Sequence, residues 1–468
     1  MSSQKLRVPK KQPNSFYIET YGCQMNEYDS LIARKILEET GGQIVSEPSD
    51  AELILLNTCA IRENAHVKVY NRLRQMQNLQ KKGAKIGILG CMAQNLREEL
   101  LYENLPVDFV MGPDELRNLP KFLSNLEQEA AEFQKAYLHL SRTETYDDVI
   151  PNVEHHLSSQ RNSVTAFVTI QRGCDNFCAF CVVPYTRGRE RSRPPESIKL
   201  EIDTLHASGM QSVVLLGQNV NSYNFENYRF TDLIRYLLEH TKIPRIYFTS
   251  PHPKDFPLEL IELMASNPRF CNSVHMPLQS GSNEVLRNMK RNYTAQNFLE
   301  LVREFREKVP DVAISTDVIV GFPGETEAQF QETMDVMQEA EFDTAFMFAY
   351  SKRKGTIAAR RYKDDVTADQ KSSRLSRLID AQMQRSLKMN ERFIGRTVNV
   401  LVESVSRRSE DHLTGRMTNG KKVIFPVPDA VENADTLTGE MIDVKIEKTT
   451  AMSLLGKAVI INSAGVNE

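Results

Sequence analysis

From Val164 to Ser351 the chain alternates apolar runs of strand length with helix-patterned segments, and this alternation restricts its fold more than any other feature. The runs are VTAFVTIQRG, QSVVLLGQNV, RIYFTS, NSVHMPLQS, DVAISTDVIVGFPGET and TAFMFAYS. Segments such as PESIKLEIDTLHASG and AQNFLELVREFREKV separate them and read as helices. Six such βα units predict a TIM-like (β/α)6 barrel, complete or partial. In barrels of this kind chemistry gathers where strands meet their C-terminal loops. The polar residues of the six runs collect at that end.

The same logic extends to both flanks. SFYIETYGC, AELILLNTC and KIGILGC read as buried parallel strands, each followed by a helical stretch, so a parallel α/β sheet is expected near the N-terminus. KFLSNLEQEAAEFQKAYLHL reads as a helix, and SRTETYDDVIPNVEHHLSSQRNS as a linker. A helix from about Thr367 to Glu391 leads out of the barrel. Beyond it, short strands with turn signals such as Asn419-Gly420 predict a small all-β barrel. The expected fold is therefore α/β and multidomain: an N-terminal parallel α/β domain over 1–140, a barrel over 160–390 and a β-barrel over 391–462. A length of 468 residues suits three domains.

Bulk properties narrow the setting. No stretch is long and apolar enough to span a membrane, and MSSQKLRVPKKQPNS lacks the apolar centre of a secretory signal. A cytoplasmic protein is expected. The net charge of −3 does not advertise nucleic-acid binding, although local basic surfaces can persist beneath a neutral total. Seven cysteines is an odd number, which argues for metal binding or catalysis over a disulfide framework.

Cys174-x3-Cys178-x2-Cys181 follows the first barrel strand directly, in QRGCDNFCAFCVVPYTRGR. Three thiolates on one short loop can grip a cubane iron–sulfur cluster and leave one of its four irons without a protein ligand. S-adenosylmethionine can chelate such an open iron through its amino and carboxylate groups. A structural zinc loop is the competing reading, but it wants four ligands, and no fourth Cys or His lies close by. Cys23, Cys59 and Cys91 each end one of the three N-terminal strands, where parallel neighbours bring their loops together. Each also precedes a helix start, which favours the thiolate. A lone cysteine there would be a buried hydrophobe; three at equivalent positions predict a second cluster site. Cys271 is left over and reads as a buried free thiol.

Together these constellations resemble the methylthiotransferase family of radical S-adenosylmethionine enzymes. The likeness spans nearly the whole chain, the last domain being similar to the TRAM RNA-binding module. TYGCQMNEYDS around Cys23, NTCAIRENA around Cys59 and VPYTRGRERSRP after Cys181 select the branch that modifies isopentenylated adenosine in tRNA. The resemblance implies a product, 2-methylthio-N6-(dimethylallyl)adenosine, at position 37 of tRNAs reading codons that begin with U. It implies two 4Fe-4S clusters. The one on Cys174, Cys178 and Cys181 would reduce S-adenosylmethionine to methionine and a 5′-deoxyadenosyl radical. The one on Cys23, Cys59 and Cys91 would hold the sulfur, which a second S-adenosylmethionine methylates. Radical chemistry suits the target, because the adenine C2–H gives general acid–base catalysis little leverage. Implied partners are the tRNA anticodon arm, an electron donor, and a sulfur or cluster donor protein, with a monomer expected. Two rivals keep the chemistry but change the substrate to threonylcarbamoyladenosine tRNA or a ribosomal protein. A third is a non-catalytic, redox-sensing RNA-binding protein.

Other residues are singled out with two readings each. Gln218 and Asn219 end the second barrel strand, where related enzymes contact the cofactor's methionine end. Ser250 ends the third strand, Gln279 and Ser280 the fourth, and Asp317 lies in the fifth. Each is either a cofactor contact or a group that satisfies a turn. Arg187, Arg189, Arg191 and Arg193 recur at every second residue, so an extended loop would turn them together toward tRNA phosphates. A solvated charged loop is the alternative. Lys352, Arg353 and Lys354 are weaker candidates, and Lys354 stands where the family commonly has proline. On the C-terminal barrel, Arg407, Arg408, Arg416, Lys421 and Lys422 are expected to meet RNA.

Overall fold

The computed structural model describes residues 14–60, 63–97, 99–102, 104–126, 136–152, 164–429 and 431–459. They belong to two compact units: Met1–His155 with Arg172–Asn176 and Val182–Arg191, and the remainder of the chain.

The first unit is built on strands β1 (Ser15–Tyr21), β2 (Gln43–Ile44), β3 (Leu53–Thr58), β4 (Lys85–Gly90), β5 (Phe109–Met111) and β6 (Ala136–Tyr137). Their order is β2-β1-β3-β4-β5-β6, and every pairing is parallel. Helices α1 (Gln24–Glu39), α2 (Glu63–Lys81) and α3 (Cys91–Leu96) follow β1, β3 and β4. β3 is buried at all six positions, which is why LILLNT shows no polar alternation. Ile54, Leu56 and Ile88 pack against Val69, Leu73 and Met76 of α2, whose helical spacing forms one apolar stripe. Each fully buried aliphatic of this kind contributes about 1.5–3 kcal/mol.

Two expectations are corrected here. Of the helix read into residues 121–140, Leu119–Leu126 is described as helical; 127–135 lie outside the described residues, and Ala136–Tyr137 is instead an edge strand paired with Val110 and Met111. The stretch read as a linker is packed over its first part. Tyr146 is buried, donates its hydroxyl to the Pro113 carbonyl at 2.8 Å and accepts the Leu116 N–H at 3.0 Å. Residues 153–163 lie outside the described residues.

The second unit contains all six expected barrel strands: β7 (Thr165–Thr169), β8 (Ser212–Leu216), β9 (Arg245–Phe248), β10 (Ser273–His275), β11 (Ala313–Val320) and β12 (Thr344–Ala349). They form two three-stranded parallel sheets, β9-β8-β7 and β10-β11-β12. Single parallel bridges, Ile246 to Phe270 and Gln279 to Val318, extend them, so the barrel is partial. A long helix, Ala368–Glu391, follows; Thr367 caps it reciprocally with Gln370.

The chain ends in a closed barrel of β13 (Thr397–Val405), β14 (His412–Arg416), β15 (Lys422–Pro426), β16 (Met441–Thr449) and β17 (Leu454–Ala458). The Asn419-Gly420 turn joins β14 to β15, with Gly420 at φ +77°. Its tip enters the end of the partial barrel where strands begin. Arg245 donates to the Arg416 carbonyl at 2.6 Å, Tyr247 to the Met417 carbonyl at 3.0 Å, and Asn419 to the Asp311 carbonyl at 3.0 Å. Lys421 reaches Asp343 at 2.7 Å. No helix among the described residues is long and apolar enough to cross a membrane.

Candidate metal centre

Tyr21, Thr58 and Gly90 lie in one row across β1, β3 and β4. Cys59 and Cys91 directly follow the last two, and Cys23 is the N-cap of α1. Asn26 and Asn57 hold this row together. Asn26 Nδ2 donates to Asn57 Oδ1 at 3.1 Å, and Asn57 Nδ2 returns to the Asn26 carbonyl at 2.8 Å. Asn26 Oδ1 lies 3.3 Å from Cys23 Sγ. These amides explain the glycines before two of the cysteines. A Cβ on Gly22 would stand 2.4 Å from Asn26 Oδ1, and one on Gly90 would stand 2.3 Å from Asn57 Oδ1.

The three sulfurs share one electrostatic environment. A hydrogen bond with Cys59 brings the Cys23 thiol down to about 5 against the opposing effect of burial, helped by the Arg187 charge and by backbone N–H groups of Asn26 and Met25. Burial pushes the Cys91 thiol up, and Arg187 opposes it. Arg187 Nε is 3.1 Å from Cys91 Sγ, and its Nη2 donates to Asp29 at 2.7 Å. Asp29 also receives Arg172 at 2.6 Å. A thiol-only donor set with a buried cation on one sulfur fits iron–sulfur ligation. Among the described residues, no three His, Cys, Asp or Glu side chains are spaced to hold a single metal ion.

Cys174 belongs to the first unit. Its N–H donates to the Gly188 carbonyl at 3.2 Å, and Asn176 Nδ2 lies 3.6 Å from its sulfur. The preceding Gly173, at φ +79°, packs where a Cβ would collide with the Arg189 carbonyl. Cys178 and Cys181 belong to the second unit. Cys178 is buried, with Arg291 Nη1 at 3.4 Å from its sulfur. Tyr293 and the Pro277 carbonyl fix that guanidinium, each at 3.0 Å. Cys271 is buried, and burial raises its thiol to about 12, as suits a core residue.

At the strand C-termini of the partial barrel, Gln171 Oε1 accepts the N–H groups of Gln218 and Asn219 at 3.0 and 3.3 Å. Phe177, Ser250 and Gln279 adopt φ of +47°, +56° and +67°. Such backbone costs about 1–3 kcal/mol per residue and concentrates where ligands are clamped. Gln279 is buried, and among the described residues its Oε1 has no hydrogen-bond partner, which makes it a candidate acceptor for a ligand. Asp317 Oδ2 lies 3.2 Å from His275 Nε2. Opposite Asp317 and Ile319, Phe346 and Phe348 of β12 are half exposed, an aromatic surface that the sequence reading passed over.

The arginine run is corrected. Three of its four members are buried on carboxylates instead of facing phosphates: Arg187 on Asp29, Arg191 on Asp114 and Arg193 on Glu201, at 2.7, 2.7 and 2.6 Å. Only Arg189 is exposed, paired with Asp175. Lys421 is likewise turned inward, with 9% of its side chain exposed and burial lowering its ammonium against the pull of Asp343. Arg407, Arg408, Arg416 and Lys422 are exposed. In the 352–354 segment, Lys354 and Gly355 form a turn, and Thr356 then caps the Ile357–Arg361 helix.

Asp29, Arg172 and Arg291 were not foreseen. One signal existed for Asp29: α1 buries Asn26, Asp29 and Ser30, a polar stripe at helical spacing where a core face should be apolar. Arg291 carries no comparable local signal.

Comparison with known proteins matches three regions of the chain. Residues 15–112 match the uncharacterized protein family UPF0004, 168–337 the radical SAM superfamily, and 391–459 the TRAM domain. The chain is 44% identical over 459 residues to the tRNA-2-methylthio-N(6)-dimethylallyladenosine synthase of Porphyromonas gingivalis (strain ATCC BAA-308 / W83), covering 96% of each. It is 43% identical over 447 residues to the Chloroherpeton thalassium protein of the same name, covering 95% of this chain and 96% of that one. Among solved structures, the radical S-adenosylmethionine methyltransferase TsrM from Kitasatospora setae superposes with a TM-score of 0.55 at 14% identity, over 74% of this chain and 77% of that one. At that identity the likeness is one of fold. With relatives this similar along nearly its whole length, the chain belongs to the tRNA-2-methylthio-N(6)-dimethylallyladenosine synthase family of radical SAM enzymes.

Proposed function

We infer that this protein places a methylthio group on C2 of N6-(dimethylallyl)adenosine at position 37 of tRNAs that read codons beginning with U. One observation carries the reading. Cys23, Cys59 and Cys91 stand at the ends of three adjacent parallel strands, in a chain that also has Cys174-x3-Cys178-x2-Cys181. One cysteine triad suffices for cleaving S-adenosylmethionine; a second has a purpose when sulfur must also be delivered.

In this reading each triad holds one 4Fe-4S cluster, and two S-adenosylmethionine molecules serve each turnover. When bound, these groups supply a carbon radical and a sulfur for a C–H bond that acid–base catalysis cannot address. The chain's own residues orient and shield them. Gln218, Asn219, Ser250, Gln279 and Asp317 are assigned to the S-adenosylmethionine of the partial barrel, Gln279 through its buried Oε1. Exposed Arg189, Arg407, Arg408 and Lys422 are assigned to tRNA phosphates. The enzyme acts as a cytoplasmic monomer that takes electrons from a donor protein and either sulfur or a replacement cluster from a second donor.

Nucleoside mass spectrometry of tRNA from a deletion strain tests this. The 2-methylthio nucleoside is expected to vanish and N6-(dimethylallyl)adenosine to accumulate. The intact gene should restore it and a Cys23→Ala copy should not. Unchanged methylthio content would overturn the reading.

A further inference from the structure

We propose that Arg187 is a positioning residue of the N-terminal cysteine triad, fixing the Cys91 sulfur and setting, through its charge, the reduction potential of the cluster held there. The proposal rests on the reading that Cys23, Cys59 and Cys91 hold an iron–sulfur cluster. The side chain of Arg187 is 4% exposed, which takes it out of reach of an RNA phosphate. Its Nε points to Cys91 Sγ at 3.1 Å and its Nη2 to Asp29 Oδ2 at 2.7 Å. A guanidinium does not lose its proton in a protein, so this is a permanent positive charge.

Behind it the charges alternate. Asp29, 1% exposed, also binds Arg172 at 2.6 Å, and Arg172 lies 3.3 Å from Glu144. Two cations thus face two carboxylates, and the buried network is neutral as a whole. Its positive end is the one that touches sulfur. Outer hydrogen bonds to ligand sulfurs and nearby charge are among the levers by which a protein sets a cluster's potential. A cation on the sulfur favours the more negative, reduced cluster. Asp29 opposes that effect by partly cancelling the cation.

The test uses the full-length chain carrying Cys174→Ala, Cys178→Ala and Cys181→Ala, so that only the N-terminal triad can bind a cluster. Iron and sulfide are counted, and the midpoint potential is read by an EPR-monitored redox titration. Arg187→Gln is expected to lower the potential and Asp29→Asn to raise it, with Arg187→Lys lying between Arg187→Gln and the parent. Opposite signs at two touching residues are the mark of charge; a packing defect moves both the same way. Equal signs or unchanged potentials overturn the proposal, as does loss of the cluster from all three variants, which would make the trio purely structural. A parent without iron removes the cluster reading itself, and it is recognised before any change is made at Arg187.

Discussion

The side chains of Asn26 on α1 and Asn57 on β3 fill the space that a Cβ at Gly22 or Gly90 would need, and this fixes the loops that carry Cys23 and Cys91. Gly90 is the more demanding of the two glycines, because its φ of +85° also disfavours any other residue. Gly90→Ala is expected to cost at least about 1–3 kcal/mol in urea unfolding and to reduce the iron retained by the N-terminal triad. Retained iron with unchanged stability would refute the account. A second residue reports on pH. Burial, with the charges of Arg291 and Lys254, holds His252 down at about 3. Its Nδ1 accepts the Lys254 N–H at 3.2 Å, so the neutral ring keeps its proton on Nε2. Between pH 6.5 and 3 the unfolded chain binds a proton that the folded chain refuses. Stability therefore rises with pH across that window, by at most about 1.4 kcal/mol per unit, and levels off above it. Urea midpoints should fall less steeply below about pH 6.5 in His252→Gln than in the parent. Equal slopes would assign the acid sensitivity to other groups.

Among the elements, the hairpin of β14 and β15 has the least expected role. Asp343 anchors it: 3% exposed, it takes Lys421 at 2.7 Å, Arg392 at 3.2 Å and Arg306 at 3.4 Å. Removing a buried anion strands its cations at a cost of about 3–5 kcal/mol. Asp343→Ala should therefore unfold the second unit at lower urea and expose the 417–421 turn to protease, whereas Lys422→Ala should do neither. The turn itself was legible, since Asn-Gly between apolar runs is a strong local signal. So were the six barrel strands and the three that carry Cys23, Cys59 and Cys91, because continuous apolar runs leave few alternatives. What the tip touches was not legible, because Asp343 lies far from it in the chain. The same reason hid the partners of the arginine run: Asp29 is 158 positions from Arg187 and Asp114 is 77 from Arg191. Ala136 and Tyr137 read as helical from local composition, whereas their strand is set by the neighbouring β5.

At the scale of the whole molecule, two cysteine triads predict two independent iron sites. Iron and sulfide counts on Cys174→Ala and on Cys23→Ala should each fall by about one cluster's worth. Loss of all iron from either single change would contradict independence. The inward-turned hairpin has one further consequence. It covers the second unit's barrel at the end where strands begin, through Arg245, Tyr247, Asp311 and Asp343. That leaves the opposite end, where Ser250 and Gln279 hold their positive φ, as the face open to ligands.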